Sequence, residues 1–216
     1  MRNPWKELPN HRPFILPKDK DLLYSFKYNE RNRPRFKILP QPFLGRPTTA
    51  EIFLLNLNPG FKGYDITTQN EDLDYVEQKR KSMEFKSRFP FFIIDPKFPG
   101  KPGYDWWHNK KLKELIGLYG VSSVGEKIMC IQYFPYHSPI YKHQPHIPSQ
   151  EFSFYLVKQA INLKKIIVVM RRKEHWFESI PELENYPVIV LRNPRNPTIS
   201  HGNMAPESFR KIQSVM

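Results

Sequence analysis

The 216 residues, 39% hydrophobic and 25% charged, are enough to bury a core and argue against a disordered chain. The single cysteine, Cys130, excludes an internal disulfide, a four-cysteine iron–sulfur cluster and a cysteine-based zinc cage, so a reducing, cytoplasmic setting is the default expectation. A net charge of +13 nominates a polyanion such as nucleic acid, because each neutralised phosphate releases counterions, with a generally basic surface as the equal alternative. No apolar run approaches the roughly 18–20 residues of a membrane span, and the first residues lack an apolar signal core, so neither membrane insertion nor secretion is expected.

Residues 1–47 are Pro-rich and basic without a sustained period, and read as an extended arm packed on a domain that spans 48–216. Residues 51–57 (EIFLLNL) form an apolar run of buried-strand type, stopped by Asn58-Pro59-Gly60. A helix is predicted over 70–88, with an acidic first turn, a basic end, and Leu73, Val76 and Met83 on one face. Phe89-Pro90-Phe91 breaks it. A second helix is predicted from Trp106 to Tyr119, with Leu112, Leu115, Ile116 and Tyr119 at helical spacing and Gly120 as its stop.

Residues 127–132 read as a second strand, ending before Pro135. A helix follows from a Ser149 cap to about Asn162, then a third strand over 165–170. A short helix over 171–179 and a fourth strand over 186–191 come next, and Pro206 opens a terminal helix. Four apolar strands alternating with helices predict an α/β fold, a three-layer α/β/α sandwich around a four-stranded, mostly parallel sheet. Ligands of such sheets bind beyond the carboxyl ends of the strands. Three loops there carry polar groups: the one after Leu57, the one running Gln132 to Ser138, and the one running Arg192 to Thr198.

Some features have plain structural readings. Cys130 lies within a strand and is expected to be a packed thiol. His137, His143 and His146 lack the carboxylates and spacing of a zinc site, and no metal is expected. Ser138 beside His137 is no triad. Trp106 and Trp107 suit wall and core, and Arg171, Arg172 and Lys173 suit a solvated helix face. There is no P-loop or G-x-G-x-x-G fingerprint, and no cofactor is expected.

The order of these parts resembles the uracil-DNA glycosylase superfamily, nearest its mismatch-specific uracil/thymine branch. Asn56-Leu57-Asn58-Pro59-Gly60 is similar to the branch's G-I-N-P-G strand end, with Asn56 in place of the first glycine. Phe89-Pro90-Phe91 matches its F-P-F, Trp106-Trp107 its aromatic-Trp helix start, and Asn193-Pro194 or Asn196-Pro197-Thr198 its final loop, with Arg195 where a serine is usual. The likeness covers roughly residues 42–216, and a helix is inserted at 66–88.

The resemblance implies a metal-independent base glycosylase of the excision-repair type, acting on uracil or a related damaged base. Its DNA would be single-stranded or a mismatched duplex. It implies that Asn58 positions the attacking water and that backbone N–H groups near Pro59–Phe61, with the Asn193 amide, stabilise the leaving base. Phe91, or Phe92 or Phe61 in its place, would stack on the flipped base, and Gln132, by its strand-end position, would read the base edge. Arg192, Arg195, Asn196, His201 and Asn203 would grip the DNA. The alternative is a non-catalytic nucleic-acid or nucleotide-binding protein that keeps the fold; a hydrolase of another small ligand is a third reading. Oligomeric state is not legible.

Overall fold

The computed structural model describes residues 1–142 and 144–216; His143, one of the three histidines weighed above, lies outside the described residues. In chain order the elements are α1 (Lys20–Ser25), β1 (Phe43–Leu44), β2 (Ile52–Asn56), α2 (Tyr64–Glu71), α3 (Leu73–Ser82), α4 (Lys113–Lys127), β3 (Ile128–Gln132), α5 (Gln150–Asn162), β4 (Ile166–Val169), α6 (Lys173–Ser179), β5 (Ile189–Val190) and α7 (Pro206–Gln213). The strands form one sheet in the order β1-β3-β2-β4-β5.

The fold is α/β, and the four strands expected from the apolar runs pair in parallel with one another. The sheet is nevertheless five-stranded and mixed, a correction to the four-stranded expectation. The arm supplies β1, which pairs antiparallel with β3 (Phe43 beside Ile131, Leu44 beside Cys130). Two residues flanked by prolines carry no readable period, and prolines are tolerated there because β1 is an edge strand. Gly45 closes β1 at φ 98°, where an added Cβ would lie 2.4 Å from the Ile128 carbonyl oxygen, so only glycine fits.

Alternation along each strand feeds two apolar cores on opposite faces of the sheet. Phe53, Leu55, Met129, Ile131, Ile167 and Val169 meet Phe152, Val157 and Ala160 of α5, together with Trp5, Phe14, Leu16 and Leu39 of the arm. Ile52, Leu54, Ile128, Cys130, Ile166 and Val168 meet Leu115 and Val124 of α4, Phe209 and Ile212 of α7, and the buried run Phe91 to Ile94. Cys130 is thus a packed thiol, and burial raises its pKa well above the ordinary value.

Two helices differ from expectation. The span 70–88 is divided at Asp72, which leaves helical geometry (φ −106°, ψ 87°) and accepts the Tyr75 N–H on its carboxylate. Asp is a strong N-cap and restarts the helix there. Leu73 is consequently 78% exposed, and α3 buries Tyr75, Gln78, Lys79 and Ser82 instead. The span from Trp106 opens as a π-helical turn, Asp105–Lys111. Gly120 (φ 79°) kinks α4 without ending it. No helix among the described residues is long and apolar enough to cross a membrane.

Candidate active site

On one face of the sheet the apolar ladder changes character at the carboxyl edge. Leu54 and Cys130 are followed, two residues on and therefore on the same face, by Asn56 and Gln132, which are direct neighbours in the parallel register. Gln132 is 2% exposed, its Oε1 is fully buried, and neither atom of its amide has a hydrogen-bond partner among the described residues. An unpaired buried amide is costly, on the order of 1–3 kcal/mol. It faces a crevice of about 1190 Å³.

All four parallel strands deliver loops to this crevice: Asn58 to Phe61 after β2, His137 to Tyr141 after β3, Arg171 to Glu174 after β4, and Pro194 and Arg195 after β5. Tyr64 and Asp65 of α2 and Trp106 of the π-turn form the opposite wall. The chain leaves β2 for β3 on one side and later forms β4 on the other. The crevice therefore lies at the switch point where open α/β sheets bind ligands.

The loops after β2 and β3 are bonded to each other. Asn58 Nδ2 donates to Ser138 Oγ and to the Pro59 carbonyl, both at 3.0 Å, which fixes the amide's orientation. Ser138 N–H donates to the Pro59 carbonyl at 3.3 Å, and Ser138 Oγ–H to the Ile140 carbonyl. Asn58 Oδ1 and the N–H groups of Gly60 and Phe61 are left without partners among the described residues.

Behind this turn, His137 Nδ1–H donates to the Gly60 carbonyl at 2.6 Å. A carbonyl only accepts, so the proton is on Nδ1, and Nε2 accepts from Lys79 Nζ at 3.0 Å. Burial, and then the Lys79 charge, hold the His137 pKa well below its usual value. Lys79 is itself 5% exposed; burial pushes its pKa down to about 8 against the opposing pull of Asp65. Asp65 is raised by burial, opposed by the Lys62 N–H on its carboxylate (2.6 Å) and by the charges of Lys79 and Lys62. His137 has both nitrogens engaged, and His146 bonds Glu151. Among the described residues no group of three or more His, Cys, Asp or Glu side chains is placed to hold a metal ion.

Of the residues expected at the site, Asn58, Phe61, Gln132 and Arg195 line the crevice. Phe91 and Phe92 do not, and their assignment as stacking faces is corrected. Both are fully buried, Phe91 edge-on to Trp107 (5.0 Å) and Phe92 against Tyr75 (5.4 Å), because the run from Phe91 to Ile94 is apolar throughout and fills the core. Asn193 is also outside. Its Oδ1 accepts the N–H groups of Arg195 and Asn196, a turn closed by its own side chain.

Asn203, buried, ties the same loop together. Its Oδ1 accepts from Asn193 N–H, and its Nδ2 donates to the carbonyls of Asn196 and Thr198. Asn196 Oδ1 accepts from Lys111 Nζ, and His201 pairs with Glu114 at 2.8 Å. Arg192 is exposed and lies outside the crevice wall. The proposed DNA grip of Arg192, Asn196, His201 and Asn203 therefore does not converge on the crevice. The loop's polar side chains fold it, and Arg195 alone of that set reaches the wall.

Sequence reading passed over Lys79, Asp65 and Asn56. The signal for Asn56 was available, since it stands two residues after Leu54 on a strand and must share its face. Lys79 carried none, because α3 reads as a solvated basic helix. Comparison with protein-family models, curated proteins and solved structures finds no match to this chain.

Proposed function

We propose that this protein is a DNA base glycosylase of the uracil-DNA glycosylase type, hydrolysing the N-glycosidic bond of uracil or a related damaged base. The observation that carries the reading is Asn58. Its Nδ2 is tethered across the loops, and its Oδ1 is open to the crevice beside the unpaired Gln132 amide. A carbonyl oxygen held in this way accepts a hydrogen bond from water and points the water's lone pair at a sugar carbon.

The C1′–N bond breaks with its electron pair going to the base. The oxocarbenium ion then takes up the water, and the proton that the water loses neutralises the departed base. The free N–H groups of Gly60 and Phe61 supply fixed donors for the developing anion, in a site already shaped before reaction. Gln132 offers both a donor and an acceptor to a base edge. Phe61, Tyr64 and Trp106 offer aromatic surface in place of Phe91 and Phe92. His137 stays neutral and serves to position Gly60, since its Nδ1–H is engaged by that carbonyl.

A second reading, a non-catalytic nucleic-acid or nucleotide-binding protein, is favoured by one specific observation. Asn193, the second amide implied by the resemblance, is held in its own turn and contributes nothing to the crevice. The two readings separate in one experiment: single-turnover release of free base from oligonucleotides bearing uracil, mismatched thymine, hypoxanthine or xanthine, beside a binding titration. Release from any of them that Asn58→Ala removes supports the glycosylase. Tight binding without release on all four supports the binding protein.

A further inference from the structure

Buried cations normally face a carboxylate, because an uncompensated charge in a low-dielectric site is expensive. At the β4–β5 end of the crevice two cations break that rule, Arg171 on the wall and Lys111 behind it. Lys111, last residue of the π-turn, is 5% exposed. Its ammonium donates to Asn196 Oδ1 and lies over the Trp106 ring, 5.1 Å from the centroid. Arg171, the second residue after β4, is partly buried on the crevice wall. Its Nη2 reaches only the Arg195 carbonyl, at a long 3.4 Å, and its Nε is buried with no acceptor. Among the described residues neither has a carboxylate within ion-pair distance, although eleven other ion pairs are formed.

The loop after β5 holds the two together. The Asn193 turn presents Arg195 and Asn196, the first to Arg171 and the second to Lys111, and the Ile199 N–H bonds the Lys111 carbonyl. Burial holds the Lys111 ammonium below its ordinary pKa, and the neighbouring Arg171 charge adds to the effect. Two cations of one sign braced by neutral groups are a site waiting for a negative partner. A guanidinium whose donors are not satisfied fits the planar fork by which arginine holds phosphate oxygens.

We propose that Arg171 and Arg195, with the Lys111 charge close behind the wall over Trp106, form a phosphate subsite at this end of the crevice, taking a phosphate of the nucleotide whose base lies against Asn58 and Gln132. The inference rests on the reading of the crevice as a nucleotide site, and it moves the phosphate grip from the outer loop to the crevice wall.

The test is a binding comparison between thymidine 3′,5′-bisphosphate and thymidine, which share a base and sugar and differ in phosphate. A charge-assisted contact of this kind is worth roughly tenfold or more in affinity. The bisphosphate should therefore bind at least about tenfold tighter than thymidine, and inorganic phosphate should compete with the bisphosphate. Arg171→Gln should remove most of the difference, and Lys111→Gln, which takes away a charge behind the wall, a smaller part of it. Arg171→Lys, which keeps the charge without the fork, should fall between. Lys211→Gln, on the exposed outer face of α7, should leave the difference intact.

Equal binding of the two ligands, or a preference that survives Arg171→Gln in folded protein, overturns the proposal. Because no bond is cleaved, a phosphate preference without base release would sink the glycosylase reading and leave the subsite standing.

Discussion

The same dipeptide, Asn-Pro, follows two parallel strands of this molecule and has opposite fates. At Asn193 the side-chain carbonyl turns back on its own loop and takes the N–H groups two and three residues on, Arg195 and Asn196. At Asn58 the corresponding N–H groups, Gly60 and Phe61, are left open, because Ser138 and the Pro59 carbonyl draw the amide nitrogen the other way. One asparagine builds a loop and the other leaves an acceptor and two donors facing a crevice. A strand-end amide is available to a ligand only when something outside its own turn holds it.

The strongest way to break this contrast is to remove each side chain in turn. Asn58→Ala should lower single-turnover base release by about a hundredfold or more while DNA affinity changes little, since the positioned water matters chiefly in the transition state. Asn193→Ala should leave the rate of release within a few-fold of wild type. Similar losses from both would erase the distinction.

Lys79 sharpens the comparison, for it braces the Asn58 turn through His137 from behind. Its pKa of about 8 in the folded protein lies below the ordinary 10.5, so the unfolded chain holds more protons between those values. The Lys79 contribution to stability should accordingly rise as pH climbs from about 8 to 10.5, by about 3 kcal/mol, against the buried Cys130 thiol, whose raised pKa acts in the opposite sense. His137 adds a decline on the acid side: below its usual 6.5 the unfolded imidazole takes a proton that the folded one refuses. Urea unfolding midpoints at several pH values would show both slopes, and Lys79→Met should flatten the alkaline one. Wild-type and Lys79→Met profiles that run parallel above pH 8 would mean that α3 holds no buried cation behind the turn.

Asn203 plays for the other turn the part that His137 plays for the first. Asn203→Ala removes three hydrogen bonds from a buried position and should cost about 1–3 kcal/mol in chemical denaturation. The smallest expected effect is that of Asn193→Ala on stability, about 1 kcal/mol, typical of a lost side-chain cap. A cost well above that of Asn203→Ala would show that the Asn193 turn, and not Asn203, organises the loop.

The parallel strands were readable because a strand buried on both faces is a short apolar run bounded by turn residues. β2, β3 and β4 lie close to where those runs stand, and only two residues of the run over 186–191 remain as β5. β1 was not readable: two residues among prolines gain their place from the free edge of β3. The apolar stripe assigned to the helix over 70–88 misled because Asp72 resets the helix and turns Leu73 outward. Phe91 followed its chemistry, since a run of four apolar residues is drawn to the core whatever motif it resembles.

By itself, then, the sequence determined the α/β class, the parallel pairing of four strands, and the edge at which polar loops gather. These follow from side-chain hydrophobicity and its period, which act over a few residues. Tertiary structure decided which of the two Asn-Pro amides is free, that Lys79 lies buried against His137, and that Lys111 and Arg171 come to the same end of the sheet without a carboxylate. Those outcomes depend on partners between 24 and 85 residues away along the chain, joined by single hydrogen bonds whose donors and acceptors meet only once the sheet is assembled.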